Sequence, residues 1–148
     1  MSQIVVGMDQ IFGPFCCRKF GSTWHPGMGA TIGLMDKHAG IVAATMYTDW
    51  NKANVVAHIA AAHPERNWMT REFLWYIFHY PFEQLKARRL TAPVYSDNVR
   101  CLRLVEAMGF KFEACLDNAA PNGDILLFRM LADECRWLKL KDKRHGKV

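Results

Sequence analysis

The residue type best suited to move a proton near neutral pH is histidine, and His58 is the histidine that we single out. A neutral imidazole, with an ordinary pKa near 6.5, can accept an ammonium proton directly or through water. His58 lies in the apolar run 54–61, which predicts a strand, so His58 and Ala60 are expected to share a face. A lone histidine is more often structural, and Glu113 and Asp49 are weaker alternatives for a base.

The cysteines and histidines do not have the spacing of a metal site or a disulfide framework. The five cysteines are odd in number and include no C-x-x-C pair, and none of the six histidines belongs to an H-E-x-x-H motif. These patterns predict no structural metal and favour a reducing cytoplasm. No basic segment followed by a long apolar stretch begins the chain, so no signal peptide is expected.

Short apolar runs separated by glycine, asparagine and aspartate predict strands and helices in alternation. The predicted strands are 4–6, 30–35, 41–48, 54–61, 89–95, 110–116 and 124–131. The predicted helices are 10–20, 70–86, 98–108 and 132–140. Asp9 and the pair Ser96-Asp97 are the expected N-caps, and Gly109 is an expected stop. Pro81 should kink or end the second helix.

This order of elements predicts an α/β (α+β) fold. Three antiparallel strands precede a central β-α-β crossover, and helices remain for both faces of the sheet. We therefore expect a mixed, mostly antiparallel twisted sheet. The chain of 148 residues is divided into one domain over 1–138 and a basic tail over 139–148.

The segment from Asn98 to Phe110 is the most specific motif in the chain. Its sequence, NVRCLRLVEAMGF, resembles the N-x-x-(A/S)-x-x-x-x-x-x-x-G-F segment of the GNAT superfamily of acyl-CoA-dependent N-acetyltransferases. The helix and strand before it, the turn 121–124 and the ending 130–138 resemble the same family, so the resemblance covers roughly residues 30–138. Within the superfamily the chain is similar to small proteins of tailed bacteriophages and prophages. These resemble the branch that acetylates N-terminal amines of ribosomal proteins.

The resemblance implies a GNAT-like sheet and transfer of an acetyl group from acetyl-CoA to a primary amine. The implied acceptor is a protein N-terminus or a lysine. The implied reaction is direct attack in a ternary complex, with no covalent enzyme intermediate.

The resemblance implies a pyrophosphate site at the start of the helix at Thr70, where backbone amides and the helix dipole favour an anion. The family pattern (Q/R)-x-x-G-x-(G/A) falls on residues 65–70, with Trp68 in place of the glycine. Arg66 and Arg71 can supply positive charge, or else be ordinary surface charges. The implied cofactor contacts are Arg66, Asn67, Trp68, Met69, Thr70, Arg71 and Asn98.

The groups that would handle the thioester are less well matched to the family. Backbone amides at Ala60 and Ala62 can be left open by their small side chains, which equally suit a tightly packed strand end. Many family members use a tyrosine as the acid where this chain has Val105. Cys101 matches a serine used near the thiol, with a buried apolar role as the alternative, and Tyr95 is a further candidate.

Aromatic side chains before residue 51 are expected to line the acceptor side of the site, or else to belong to the core. These residues are Tyr47, Trp50, Trp24 and Phe12.

The net charge of +5 favours anionic partners, and nucleic acid is possible through the tail 139–148, where much of the excess lies. A merely solvated tail is the alternative. The most apolar run, near 55–62, is too short for a membrane helix, so no membrane partner is expected. We expect a monomer or a homodimer. Two other functions stay open: a non-catalytic acyl-CoA-binding or interaction module, and a nucleic-acid-directed phage protein.

Overall fold

Seven strands and three α-helices make up the computed structural model, which describes residues 2–62 and 67–138. The strands are β1 Ser2–Val6, β2 Ala30–Asp36, β3 Gly40–Thr48, β4 Asn54–Ala61, β5 Arg89–Tyr95, β6 Lys111–Ala120 and β7 Gly123–Leu131. The α-helices are α1 Asp9–Lys19, α2 Arg71–His79 and α3 Val99–Met108. A π-helical turn, Tyr80–Gln84, continues α2, and a 3₁₀ turn, Ala132–Glu134, follows β7.

The seven strands form one sheet in the order β1-β2-β3-β4-β5-β7-β6. Among these described strands, β4 and β5 pair in parallel and all other neighbours pair antiparallel. A parallel pair needs a crossover connection, and α2 with its π-helical turn supplies it. The predicted mixed, mostly antiparallel sheet with a central β-α-β crossover is confirmed.

Side chains of β3 and β4 alternate between two apolar layers. Ala44, Met46 and Ala60 pack with α1 on one face. Tyr47 and Ala57 pack with α2 and α3 on the other face. The alternation follows from the two-residue repeat of a strand. Helices therefore cover both faces of the sheet, as predicted. The two apolar layers lie on opposite sides of the sheet.

The prediction that Asp9 caps α1 is wrong. Met8 occupies the N-cap position without a side-chain cap bond, and Asp9 is the first helical residue. The Asp9 carboxylate instead accepts hydrogen bonds from the amide and the hydroxyl of Thr31, at 2.9 and 2.7 Å. This carboxylate therefore joins the start of α1 to the start of β2 rather than closing its own helix.

The cap of α3 also differs from the prediction. Asn98, and not the pair Ser96-Asp97, is the N-cap, and its side-chain oxygen accepts a hydrogen bond from the amide of Cys101 at 3.1 Å. Gly109 ends α3 with φ at 105°, a left-handed conformation that glycine adopts without a steric penalty. The predicted stop is thus confirmed.

The helix predicted over 70–86 changes type at Pro81. Proline has no N–H to donate to the carbonyl of Ile77, four residues earlier. The buried hydroxyl of Tyr47 donates to that carbonyl instead, at 2.5 Å, and the chain continues as the π-helical turn. The interruption expected at Pro81 therefore takes the form of a looser helical turn whose free carbonyl is satisfied from the sheet.

The helix predicted over 132–140 does not begin as expected. Residues 132–134 form a 3₁₀ turn, and Cys135 is extended. The Glu134 carboxylate accepts from the Leu131 amide at 2.9 Å and pairs with Arg129 at 2.9 Å, so these bonds close a short turn. The predicted tail, 139–148, lies outside the described residues. No helix within the described ranges is long and apolar enough to cross a membrane.

Candidate active site

Strands β4 and β5 pair over three positions and then separate. Residues 54–56 pair with residues 89–91, and the Thr91 hydroxyl donates to the Asn54 side chain at 2.7 Å where the strands meet. Beyond this point β4 stays with β3 and β5 stays with β7. Pro93 lies in the part of β5 that has left β4, where its missing N–H costs no bond to β4.

A cleft of about 510 Å³ occupies this opening. Lys19 and Phe20, at the end of α1, line it from one face of the sheet. Leu104 and Val105 of α3 line it from the other face, and the separated ends of β4 and β5 form its sides. Because α1 and α3 lie on opposite faces, the cleft passes through the sheet.

The amide groups on the open edge of β4 belong to alternate residues. The amide of Ala62 donates to the carbonyl of Val42 on the β3 side, at 2.8 Å. Amides alternate in direction along a strand, so those of Ile59 and Ala61, which lie beyond the last residue paired with β5, face the opening. The amides of Ala60 and Ala62, which were predicted to be open to the thioester, therefore point toward β3 and away from the cleft.

His58 lies at this opening on the α1 face. Its ring packs against Phe20, with ring centroids 4.6 Å apart, and it lines the cleft. Burial lowers the pKa of His58, and the charge of Asp49 opposes that shift. His58 and Ala60 share a face, because both lie in the layer that contacts α1. A neutral imidazole beside an opening is able to accept a proton.

The start of α2 borders the same cleft through Trp68. The Thr70 hydroxyl caps the helix by accepting from the amide of Phe73 at 3.2 Å. The amides of Arg71 and Glu72 have no partner in the helix's own ladder. Trp68 is 6% exposed and packs edge-on against Phe73, so the side chain that replaces the expected glycine belongs to the core.

The remaining residues predicted to contact cofactor around α2 differ in exposure. Asn67 and Arg71 are exposed, and Met69 is half-buried against the core. Arg66 lies outside the described residues. The positive charge available to an anion at this helix start is therefore that of Arg71, among the residues that the structure describes.

The start of α3 brings three predicted residues to the cleft. Asn98, Cys101 and Tyr95 all line it, together with Val105. Asn98 uses its side-chain oxygen to cap the helix at the amide of Cys101. Burial raises the pKa of the Cys101 thiol, which keeps it protonated at neutral pH. Tyr95 is 37% exposed and stands at the end of β5.

The aromatic residues predicted for the acceptor side do not line the cleft. Tyr47 is buried, and its hydroxyl is bound to the carbonyl of Ile77. Trp24 and Phe12 pack in the α1 layer, and Trp50 packs against the layer of α2 and α3. Their place in the two cores agrees with the alternative kept open for them.

The two alternative bases have other partners. Glu113, on β6, pairs with Arg89 at 2.7 Å and with Arg129 at 3.5 Å. The hydrogen bond from Arg89 is the main cause that lowers the pKa of Glu113. Asp49 accepts a hydrogen bond from the hydroxyl of Thr48 at 2.9 Å. Neither lines the cleft within the described part of the chain, so His58 is the best placed of the three candidates.

Sequence reasoning missed three features of the site. Lys19 and Phe20 enter it because α1 ends beside the opening, and no local signal marks that contact. Thr48 meets His58 only through the register of β3 and β4. Pro93 did carry a signal, since a proline in a central strand indicates a place where ladder bonds are lost.

The sequence matches no protein-family model and no curated protein. Solved structures do resemble it. A variant of spermidine N-acetyltransferase SpeG from Vibrio cholerae superposes with a TM-score of 0.71 at 15% identity, over 94% of this chain and 99% of that one. The spermidine/spermine N-acetyltransferase SpeG with manganese ions, from the same organism, gives 0.66 at 14% identity, over 99% and 97%.

A second kind of acetyltransferase has the same fold. A GNAT-family acetyltransferase from Bacillus anthracis superposes with a TM-score of 0.58 at 15% identity, over 70% of this chain and 67% of that one. At such identities the likeness concerns the fold. The chain therefore has the GNAT-like fold that the motif at Asn98 predicted.

Proposed function

We propose that this protein is an N-acetyltransferase that transfers an acetyl group from acetyl-CoA to a primary amine. The opening between β4 and β5 carries the proposal, because it brings free backbone amides, a proton acceptor and a helix N-terminus to one cleft. The likeness in fold to acetyltransferases supports it.

The residues around the cleft fit coenzyme A. The amides of Ile59 and Ala61 can donate to a thioester carbonyl. The free amides at the start of α2, with the Arg71 guanidinium, suit a diphosphate. Trp68 does not obstruct this use, because its side chain is packed into the core. When bound, acetyl-CoA supplies the acetyl group in a reactive thioester.

His58 and Cys101 would handle protons on opposite sides of the sheet. His58 lies on the α1 face with Phe20, and Cys101 lies on the face of α3. The acceptor amine would enter from the α1 side and lose its proton to His58 as the C–N bond forms. The C–S bond breaks, and the Cys101 thiol or the Tyr95 hydroxyl can give a proton to the leaving thiolate. A thiol whose pKa is raised is a poor nucleophile, which favours direct attack by the amine.

The acceptor that we propose is a protein N-terminus or a lysine side chain. Lys19, at the α1 side of the cleft, and Arg100, on the α3 side, line it, and no carboxylate lines it among the described residues. Two cations disfavour a polycation such as spermidine and favour an amine on a neutral or acidic carrier. A phage-type role and activity on ribosomal proteins belong to this proposal by sequence resemblance.

The proposed cellular location also rests on the sequence. An odd number of cysteines without a C-x-x-C pair favours the cytoplasm, and the basic tail 139–148 keeps nucleic acid open as a partner. A nucleic-acid role predicts an affinity that falls steeply with salt and that is lost when 139–148 is deleted.

Titration calorimetry with coenzyme A tests the cofactor site. We expect Arg71→Gln to weaken binding about fivefold to tenfold, because it removes a charge-assisted bond to phosphate. We expect Glu72→Gln to strengthen binding, because it removes a negative charge from the same helix start. Lys37→Gln, in the exposed β2–β3 turn, is the matched control. Absence of coenzyme A binding to the unaltered chain would overturn the proposal.

A non-catalytic acyl-CoA-binding module is the second candidate. Val105 at the position of the usual acid, and Trp68 at that of the glycine, favour it. Tight binding of acetyl-CoA without turnover on a broad panel of amines would establish it in place of the enzyme.

A further inference from the structure

We propose that Thr48 and Asp49 are positioning residues that hold neutral His58 with its hydrogen on Nε2 and leave Nδ1 as the proton acceptor. The catalytic consequence rests on the proposed function. The position of the hydrogen does not, because it follows from contacts within the protein alone.

Two hydrogen-bond distances define the arrangement. The Thr48 hydroxyl oxygen lies 2.9 Å from Oδ2 of Asp49 and 3.1 Å from Nε2 of His58. A hydroxyl has one hydrogen to give, and an ionised carboxylate has none. The Thr48 hydroxyl must therefore donate to Asp49. Its oxygen is then an acceptor for His58, whose Nε2 must carry a hydrogen.

The sheet register produces this contact. Met46 pairs with His58 and Thr48 pairs with Val56, so Thr48 and His58 are diagonal neighbours on one face of the β3–β4 pair. Thr48 is 8% exposed, and a buried hydroxyl normally keeps its hydrogen-bond partners.

Backbone geometry at the end of β3 supplies the carboxylate. Asp49 directly follows the strand and adopts φ of 58°, a left-handed conformation that aspartate and asparagine tolerate better than most residues. With this turn the Asp49 side chain meets the hydroxyl of the residue before it. A backbone conformation of this kind persists where surrounding contacts require it.

Groups from three elements face the imidazole or its cleft. Phe20, directly after α1, packs against the ring without charge, and Lys19, the last residue of that helix, lines the cleft with a positive charge. Arg100, Cys101 and Tyr95 line the cleft from the side of β5 and α3. Among the described residues no partner is found for Nδ1 of His58, so its lone pair is available.

The proposed proton path needs no transfer to Asp49. As the amine nitrogen bonds to the carbonyl carbon and the sulfur leaves with its electron pair, the amine proton moves to Nδ1. The positive ring then keeps Nε2–H bonded to Thr48, and the Thr48 hydroxyl stays bonded to the carboxylate. Asp49 does not contact the ring directly. It stabilises the positive charge of His58 through the Thr48 hydroxyl.

Two-bond ¹H–¹⁵N correlation spectra of the free protein test the position of the hydrogen. We expect neutral His58 to carry it on Nε2 in the unaltered chain and in Thr48→Ser, which keeps the hydroxyl. We expect Thr48→Val to show a mixture of the two neutral forms. A hydrogen on Nδ1 in the unaltered chain, or a Thr48→Val spectrum identical to it, would overturn the proposal.

A pH titration of the same signals tests the part of Asp49. Its charge raises the pKa of His58 against the effect of burial, so Asp49→Asn should lower that pKa, and Lys37→Gln should not. An unchanged titration in Asp49→Asn would contradict the proposal. If both spectra behave as expected but no amine is acetylated, the positioning role stands and the proposed transferase is wrong.

Discussion

The imidazole of His58 is subject to two opposing influences. Burial lowers its pKa and is the larger cause, while Asp49 raises it. A general base must be unprotonated before it accepts a proton, and a lowered pKa keeps the ring neutral to more acidic pH. The residue is therefore suited to act through the neutral range.

The first expected outcome concerns the turnover of His58→Gln. Loss of a general base lowers kcat by about 10²–10⁴-fold, so this variant should fall in that range in a steady-state acetylation assay. The unaltered protein should lose kcat/KM only below about pH 6.5, the ordinary histidine pKa. His38→Gln, in the exposed β2–β3 turn, should match the unaltered protein. Equal turnover of His58→Gln from pH 6 to 9 would remove His58 from the mechanism.

At the scale of the element, Pro81 and Tyr47 form one structural unit. Pro81 withholds an N–H from the carbonyl of Ile77, and Tyr47 supplies a hydrogen from the sheet. This bond joins β3 to the end of α2. Helix α2 is part of the crossover connection between the parallel strands β4 and β5. Tyr47 thus serves the crossover, and its burial raises its pKa well above the ordinary tyrosine value.

Chemical denaturation of Tyr47→Phe tests this unit. The substitution leaves the Ile77 carbonyl buried without a partner, which costs about 1–3 kcal/mol of unfolding free energy. Pro81→Ala restores an N–H at the position that can serve this carbonyl, so the double variant should lose less than the sum of the single losses. Tyr95→Phe, at a half-exposed site, should change stability by less than about 0.5 kcal/mol. Strict additivity of Tyr47→Phe and Pro81→Ala would show that the two residues are independent.

At the scale of the whole molecule, the cleft joins the two faces of the sheet and is lined by positively charged side chains. Lys19 stands on the α1 side, where the acceptor would enter, and its ammonium also lies 5.8 Å from the centre of the Phe15 ring. Such a charge discriminates between acceptors by sign, because it repels cations and attracts carboxylates.

An acceptor panel tests this discrimination. A peptide with a free N-terminus and acidic side chains should be acetylated with a higher kcat/KM than spermidine. Lys19→Glu should shift the ratio toward spermidine by roughly tenfold, since reversing one charge near the cleft mouth changes the interaction by about 1–2 kcal/mol at short range in water. Arg18→Glu, an exposed neighbour that does not line the cleft, controls for net charge. Spermidine as the preferred acceptor of the unaltered protein would refute this acceptor class.

The order of elements was predictable from the sequence because its signals are local. A short apolar run after a turn predicted the strand 54–61, which the structure has as β4. Gly109 ended a helix as its type suggests, and Pro81 interrupted another. The caps were less predictable. The Asp9 carboxylate accepts hydrogen bonds from Thr31, which is distant in sequence. A carboxylate can bind any donor that the fold places beside it, so its partner is not determined by nearby residues.

The sequence by itself determined the seven strands and the first three helices, that a parallel crossover lies at their centre, and that His58 stands on the strand beside it. Only the tertiary structure decided which amides of β4 face the opening, that the Thr48 hydroxyl contacts both His58 and Asp49, and that α1 ends at the cleft. The reason is physical: periodicity and caps act within a few residues, whereas register and helix docking are fixed by pairing between segments far apart in the chain.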